Sequence, residues 1–292
     1  MQSLNIAVST DDQLAADGGS TRLNHGEEIF FKKGSYIVRY PRDIQEIVDL
    51  NEPIIVNQLD DPIPQSFGID FATQTKMNDI IRQDVFDNNG IFFVEDTQVP
   101  LPSSNDQDDD DEEFDDFNDG SSGSTALKNK PVINQSESRF CKQISAMFMM
   151  FDMDKPIGYV PDLNPAYCSI KIPLIDATNK AKAAYPEFFT PEVKKARVRL
   201  IIVLREHRGK GLLNLIFEAC TQMAKERGFD CIHMTSTSPE TMHVARKFGY
   251  TVLSEVYFKD YPEINEHYKP HESLLKKLGD APHTVQYCAK FL

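Results

Sequence analysis

One stretch, Ala196 to Ile216 (ARVRLIIVLREHRGKGLLNLI), constrains the fold more than any other. It opens as a strand. Val198, Leu200, Ile201, Ile202 and Val203 form an apolar, β-branched run, with Arg197 and Arg199 alternating at its start. It closes as a helix, because Leu212, Leu215, Ile216, Ala219 and Met223 recur at three- and four-residue steps on one face. Only Arg205-Glu206-His207-Arg208-Gly209-Lys210-Gly211 lies between the two periods. This is a strand-to-helix turn with two glycines and three basic groups, four if His207 is counted as partly charged.

Such a turn suits phosphate. The first N–H groups of a helix have no intrahelical acceptor, and the helix dipole places partial positive charge there. Glycine lets a ligand approach the backbone, and Arg and Lys add full charge. The turn is not a Walker loop, since no four-residue spacer separates the glycines and no Ser or Thr follows Gly-Lys. It is not a Rossmann fingerprint, which needs a third glycine. On residue types alone, an ordinary β-α connection with exposed basic side chains stays open beside the phosphate reading.

The elements that follow narrow the choice. Arg227-Gly228-Phe229 places glycine at a left-handed helix end. A short strand, Cys231–Met234, comes next. Ser238-Pro239 then opens a second helix through Arg246, which ends at Lys247-Phe248-Gly249-Tyr250, and a strand runs from Thr251 to Phe258. This order, with Arg208-Gly209-Lys210-Gly211 in the turn, resembles the GCN5-related N-acetyltransferase (GNAT) superfamily over about residues 31–292. Asn51-Glu52-Pro53, the helix Pro239–Phe248, Glu255–Tyr261 and the ending from Ala281-Pro282-His283 to Ala289-Lys290 are similar to insect-type arylalkylamine N-acetyltransferases. The resemblance implies an α/β (α+β) fold: a mixed, mostly antiparallel twisted sheet, helices on both faces, and a splayed strand pair that binds CoA.

The chain has 292 residues and 40% hydrophobic content, enough to bury a substantial core. Its net charge is −14, but ten of those charges lie in Asp106–Asp119, where there is no basic residue, so the remainder carries four. A mildly acidic surface argues against nucleic-acid binding. The longest apolar run, Ala146–Phe151, is far too short to span a bilayer, and the N-terminus does not read as a secretory signal. Cys141, Cys168, Cys220, Cys231 and Cys288 are odd in number, widely spaced and without metal-site spacing, so the expectation is reduced thiols, no metal and a cytoplasmic location.

Along the chain, residues 1–30 read as a flexible tail and 31–292 as one domain. Ser35–Tyr40 alternates as a strand. A helix from Pro41 turns Ile44, Ile47 and Val48 to the core and ends near Leu50. Pro53 biases Glu52 out of helical conformation, so Glu52 sits on a loop. A second helix carries Phe71, Met77, Ile80, Ile81 and Val85, and Ile91–Val94 is a strand. About 100–130 is an acidic, low-complexity insert between strands, rich in Asp, Glu, Gly and Ser and too poor in apolar residues to fold. Phe114 and Phe117 in it offer a basic protein partner something to grip. Gln143–Met153 is a strand, and Ile157–Glu192 is irregular apart from a short helix at Lys180–Tyr185.

The resemblance implies the chemistry. Acetyl-CoA is the cosubstrate, lying between Val198–Leu204 and Cys231–Met234. The backbone of Val203 and Leu204 binds pantetheine, an N–H near Leu204 polarises the thioester, and Arg208, Gly209, Lys210, Gly211, Leu212 and Leu213 wrap the pyrophosphate. Leu213 departs from the Gly or Ala common in the family, so its side chain either crowds the phosphates or turns into the apolar face. Glu52 is the general base for a protonated small-molecule amine, an arylalkylamine first and polyamine or protein amines next. By residue type alone an exposed loop glutamate is the simpler reading, and the resemblance is what assigns it the base. Thr237 and Thr241 stand where the family carries hydroxyls near the departing sulfur, while Ser238 suits a helix cap. His283 matches a C-terminal histidine on the amine side. The competing reading is a non-catalytic GNAT-like binding module that uses its acidic insert to hold a protein.

Overall fold

The computed structural model describes residues 28–59, 62–76, 78, 90–99, 143–154, 165–278 and 282–292. The tail to residue 27, the acidic insert within 100–142, Cys141, and the expected helical positions Met77, Ile80, Ile81 and Val85 lie outside them.

Eight strands form one sheet. They are β1 (Ile29–Lys33), β2 (Tyr36–Arg39), β3 (Ile91–Asp96), β4 (Ile144–Asp152), β5 (Lys195–Val203), β6 (Cys231–Ser236), β7 (Thr251–Tyr257) and β8 (Thr284–Phe291). Their spatial order is β1-β2-β3-β4-β5-β6-β8-β7. Every neighbouring pair is antiparallel except β5–β6. The helices are α1 (Ile44–Asp49), α2 (Asn51–Leu59), α3 (Pro62–Ser66), α4 (71–76), α5 (Pro165–Ala184), α6 (Leu212–Glu226), α7 (Pro239–Lys247) and α8 (Glu272–Leu278). This is the mixed, mostly antiparallel architecture expected from the sequence.

Period-two alternation sorts side chains onto two faces. One face carries Val38, Phe92, Val94, Ala146, Phe148, Ala196, Val198, Ile232 and Met234, packed against Leu212, Leu215, Ile216, Ala219 and Met223 of α6 and Met242 and Ala245 of α7. Cys220 is buried there, and burial pushes its thiol well above the usual range, so it is a packing residue. The opposite face holds two separate apolar clusters. Ile47 of α1, Leu50 between the helices and Ile54 of α2 cover Ile91, Phe93, Met147, Met149, Ile202 and Leu204. Ala177 and Ala181 of α5, with Ile63 and Phe67, belong to a second cluster with Leu253, Val256, Val285 and Tyr287.

Four local expectations are corrected. First, the chain enters the sheet before residue 31, at Ile29, through a hairpin whose turn glycine Gly34 has φ +61°. Second, Val48 is 40% exposed, and Glu46 takes the buried phase with Ile47. The cause is Arg39, buried on β2, which holds Glu46 through Nη2 at 2.6 Å and Glu95 of β3 through Nε at 2.5 Å. Third, Asn51-Glu52-Pro53 is the first turn of α2 and not a loop. Proline is tolerated in a first turn, and its missing N–H coincides with the break between α1 and α2 at Leu50. Fourth, the stretch expected to be irregular holds the 20-residue α5, despite Pro173 inside it.

Candidate active site

Strands β5 and β6 run side by side and then part. Their register holds from Lys195↔Cys231 to Val198↔Met234 and stops, although β5 continues to Val203 and β6 to Ser236. The cause is visible on the other edge of β5. Met150 of β4 faces Val198 and Met149 faces Leu200, so Arg199 is an extra residue on β5. A bulge bends and twists its strand, and this one sits where the β6 ladder ends. The sequence expectation of a splayed pair is therefore met.

Alternation decides which backbone groups face the opening. Leu204 donates its N–H to the Ser145 carbonyl at 3.1 Å, and its carbonyl accepts from His207 N at 2.9 Å. Both backbone groups of Leu204, which the resemblance assigns with Val203 to pantetheine, are thus hydrogen-bonded inside the chain. The groups of Ile201 and Val203 point the other way, away from β4.

Beyond Leu204 the chain makes one 3-10 turn, Arg205–His207, and Arg208 is extended. Gly209 and Gly211 adopt φ of +79° and +77°, which an L side chain rarely adopts. A Cβ on either glycine would meet nothing within 4 Å, so the space in front of them is open. Gly211 is the N-cap of the 15-residue α6 and supplies no side-chain acceptor to its first turn. Leu212 is buried, and Leu213 is partly buried against the α6–α7 core, so the leucine turns inward.

The basic groups of the turn are not equivalent. His207 is buried, and its Nδ1 lies 3.0 Å from Ser145 Oγ and 3.2 Å from Lys210 Nζ. An ammonium only donates, so Nδ1 is the acceptor and the ring proton is on Nε2. Burial first, then Lys210, hold its pKa down. His207 is thus a neutral brace and not a fourth positive charge. Arg208 donates through Nε to the Val203 carbonyl at 3.3 Å and through Nη2 to Asn57 Oδ1 at 3.2 Å. Asn57 in turn donates to the Pro53 carbonyl at 2.9 Å. The turn is therefore fastened to α2, the helix that carries Glu52.

Glu52 is exposed in the first turn of α2, where the dipole favours a carboxylate. Ser238 caps α7 by accepting from Thr241 N at 3.3 Å, which leaves Thr237 just before the helix and Thr241 in its first turn, both partly buried. His283 is buried face to face with Phe258, centroids 4.2 Å apart and rings 4° from parallel. Its Nδ1 pairs with Tyr268 Oη at 2.9 Å, and the Thr237 carbonyl faces the ring. Burial pulls its pKa down to about 4, opposed by that carbonyl. The fold thus brings Thr237 and His283 together. No hydrogen bond joins Glu52 to Thr237, Thr241 or His283 among the described residues. Tyr268, Asn57 and Ser145 went unrecognised in the sequence. Tyr268 lies 15 residues from His283, and nothing in a single sequence links them.

Among the described residues, no cluster of three or more His, Cys, Asp or Glu could hold a metal ion, and no helix is long and apolar enough to cross a membrane.

Solved structures share this fold at low identity. A mosquito arylalkylamine N-acetyltransferase like 5b matches at TM-score 0.55 and 13% identity, covering 88% of this chain and 100% of that one. The C-terminal condensation domain of Ebony, in complex with beta-alanyl-dopamine, matches at TM-score 0.60 and 13% identity, covering 88% and 99%. A Drosophila melanogaster polyamine N-acetyltransferase, described as forming N-acetylagmatine, matches at TM-score 0.54 and 13% identity, covering 88% and 100%. No curated protein matches. The sequence profile of the Acetyltransferase (GNAT) family matches residues 93–250, more than half of the chain, from β3 through the parted strands and the glycine turn to the end of α7. With fold and profile in agreement, the chain belongs to the acetyltransferase (GNAT) family and is an acyltransferase.

Proposed function

We propose that the chain transfers the acetyl group of acetyl-CoA to a primary amine, an arylalkylamine by preference, by direct attack within a ternary complex. The observation that carries this reading is the parting of β5 from β6 after Val198 and Met234, which leads into the open glycine turn at the start of α6.

The parted edges leave the backbone of Ile201 and the N–H of Val203 to pair with pantetheine amides, since polar backbone groups demand partners, while the Val203 carbonyl already accepts from Arg208. The backbone of Gly209, Lys210, Gly211, Leu212 and Leu213, with Arg208 and Lys210, receives the pyrophosphate. Glu52 takes a proton from the ammonium, because only the free amine attacks. The amine nitrogen then bonds to the thioester carbon, and the carbonyl oxygen gains the electron pair. An N–H on the open edge of β5 stabilises that oxygen. Collapse breaks the carbon–sulfur bond, the nitrogen gives its second proton to water, and Thr237 or Thr241 passes a proton from water to the departing sulfur, so that amide and CoA thiol leave with the threonine hydroxyl restored.

Aromatic acceptors are proposed first, and a packed aromatic cluster lies beside Thr237. Phe67 lies 5.9 Å from Phe258 and 5.0 Å from Tyr268, and His283 stacks on Phe258. Similar folds include enzymes named for arylalkylamines and for polyamines, so polyamines stand second. The domain is proposed to extend from Ile29 through β8, with the acidic insert between β3 and β4.

Calorimetric titration with acetyl-CoA, followed by thiol release in the presence of amines, tests the reading. Arg208→Ala with Gly209→Asp should weaken acetyl-CoA binding at least tenfold, since a charge is lost and a carboxylate is set beside phosphate. Unchanged affinity in the double variant would remove the pyrophosphate assignment. Tight acetyl-CoA binding with no thiol release for any amine would favour a binding module instead.

A further inference from the structure

Arg39 is buried and has carboxylate partners. Its guanidinium meets Glu46 at 2.6 Å and Glu95 at 2.5 Å. Lys195 is likewise satisfied, by Asp154 at 3.0 Å and the carbonyls of Thr190 and Val193. Arg197 is the exception. Its residue is only partly exposed, yet it makes no ion pair or hydrogen bond among the described residues. The groups acting on it are the Tyr287 phenol and a second cation, Arg199. Guanidinium keeps its proton at any ordinary pH, so the charge cannot be shed. A desolvated charge without a partner is costly, and a protein gains from it only when something else supplies the counter-charge.

The position of Arg197 says where that something binds. Ala196 and Val198 point into the α6–α7 core, so Arg197 points to the opposite face, as His233 does between Ile232 and Met234. Arg197 and His233 are direct neighbours, one step before the strands part. On that face they fall between the two apolar clusters, neither of which includes them. Arg199 is exposed on the bulge at the entrance. Thr235 follows on β6, beyond the last paired residue, and its Oγ1 is buried with no hydrogen-bond partner. His233 is engaged on one side only, through Nδ1 to Tyr287 Oη at 2.9 Å, and its buried Nε2 has no hydrogen-bond partner. One cation, Arg197, and the unsatisfied Thr235 hydroxyl therefore lie at the base of the opening, with a second cation, Arg199, exposed at its entrance.

We infer that the acceptor amine carries a carboxylate, received by the Arg197 guanidinium and the Thr235 hydroxyl at the base of the β5–β6 opening, with Arg199 drawing it in. The inference rests on the acetyl-transfer reading for the identity of the acceptor, but the anion site can be measured without turnover. A planar guanidinium takes a carboxylate through two parallel N–H bonds, which lysine cannot reproduce.

Calorimetry on the full chain saturated with CoA, using phenylalanine against phenethylamine and β-alanine against ethylamine, is the direct test. The carboxylated member of at least one pair should bind at least tenfold tighter than its partner. Arg197→Met should remove most of that difference while changing affinity for the decarboxylated member less than twofold, and Arg197→Lys should restore only part of it. Arg197→Met should also raise Tm by a few degrees, because an uncompensated charge is removed. Equal or weaker binding of both carboxylated ligands would overturn the inference. So would an equal loss for both members of a pair in Arg197→Met, or a fall in its Tm. Thiol release from acetyl-CoA is assayed in parallel. A carboxylate preference without thiol release would refute acetyl transfer and leave the anion site standing.

Discussion

Glu52 sits on the first turn of a helix, and that position has a chemical consequence. Exposed there, its carboxylate is open to an incoming ammonium, which is what a base for this reaction requires. Glu52→Gln keeps shape and hydrogen bonding but removes basicity. Acetyl-CoA affinity should hold, turnover at neutral pH should fall by roughly a hundredfold, and raising the pH should recover part of it as more amine arrives deprotonated. Full turnover at pH 7, with chemistry shown to be rate-limiting, would dismiss Glu52. Two buried histidines give a second prediction at this scale. His233 and His283 are both held down to about 4 by burial, below the unfolded value of 6.5. Between those values the unfolded chain binds protons that the folded chain refuses. Stability is therefore fully present above pH 6.5 and is lost as pH falls toward 4, by roughly 3 kcal/mol for each group. A Tm-against-pH series should show a shallower decline over that window in His283→Phe than in the native chain. Identical slopes would mean that His283 titrates normally.

At the scale of elements, α1 is held to the sheet by charge as well as by apolar contact. Arg39 on β2 bridges Glu46 on α1 and Glu95 on β3, and Arg42 closes the network with Nη2 3.1 Å from Glu95. Removing one member strands the others in low dielectric. Glu46→Ala should thus lower unfolding free energy by about 3–5 kcal/mol in urea titration. Replacing Arg39, Glu46 and Glu95 together by Met, Leu and Leu should cost much less. A loss below about 1 kcal/mol for Glu46→Ala would show that α1 is held by Ile47 and Leu50 alone. This network also explains what was hidden in the sequence. Periodicity placed Ile44, Ile47 and Val48 on one face, but a buried ion pair across seven residues rotated Glu46 inward, and pattern alone does not see pairs. Helix α5 was hidden because Pro173 and a run of Lys, Thr and Asn blur its apolar stripe, which reduces to Ala177 and Ala181 at full burial. The strand, turn and helix from Lys195 to Glu226 were legible because period two, two glycines and period 3.6 follow one another without interruption. The bulge at Arg199 was not, since it depends on how β4 pairs.

For the molecule as a whole, the sheet fixes which insertions and losses it can absorb. β3 and β4 are antiparallel neighbours, and their ends are tied by Asp96 N to the Gln143 carbonyl at 2.8 Å and by Gln143 Nε2 to the Val99 carbonyl at 2.7 Å. The two ends of residues 100–142 are thus already close. Replacing that segment by a short Gly-Ser linker should shift Tm by less than about 3 °C, because loop length changes closure entropy only slowly. A larger fall would mean that the segment packs on the domain. The sheet order has one more consequence, for the order in which a ribosome releases the chain. β8 is made after β7 but lies between β7 and β6. Until it emerges, β6 and β7 each present an unpaired edge, and His283, which leads into β8, has not joined Thr237. Between the synthesis of β7 and that of β8 the nascent chain therefore carries unpaired edges on both strands and lacks His283 beside Thr237. Holding those edges apart until β8 arrives is a task for whatever chaperone meets it first.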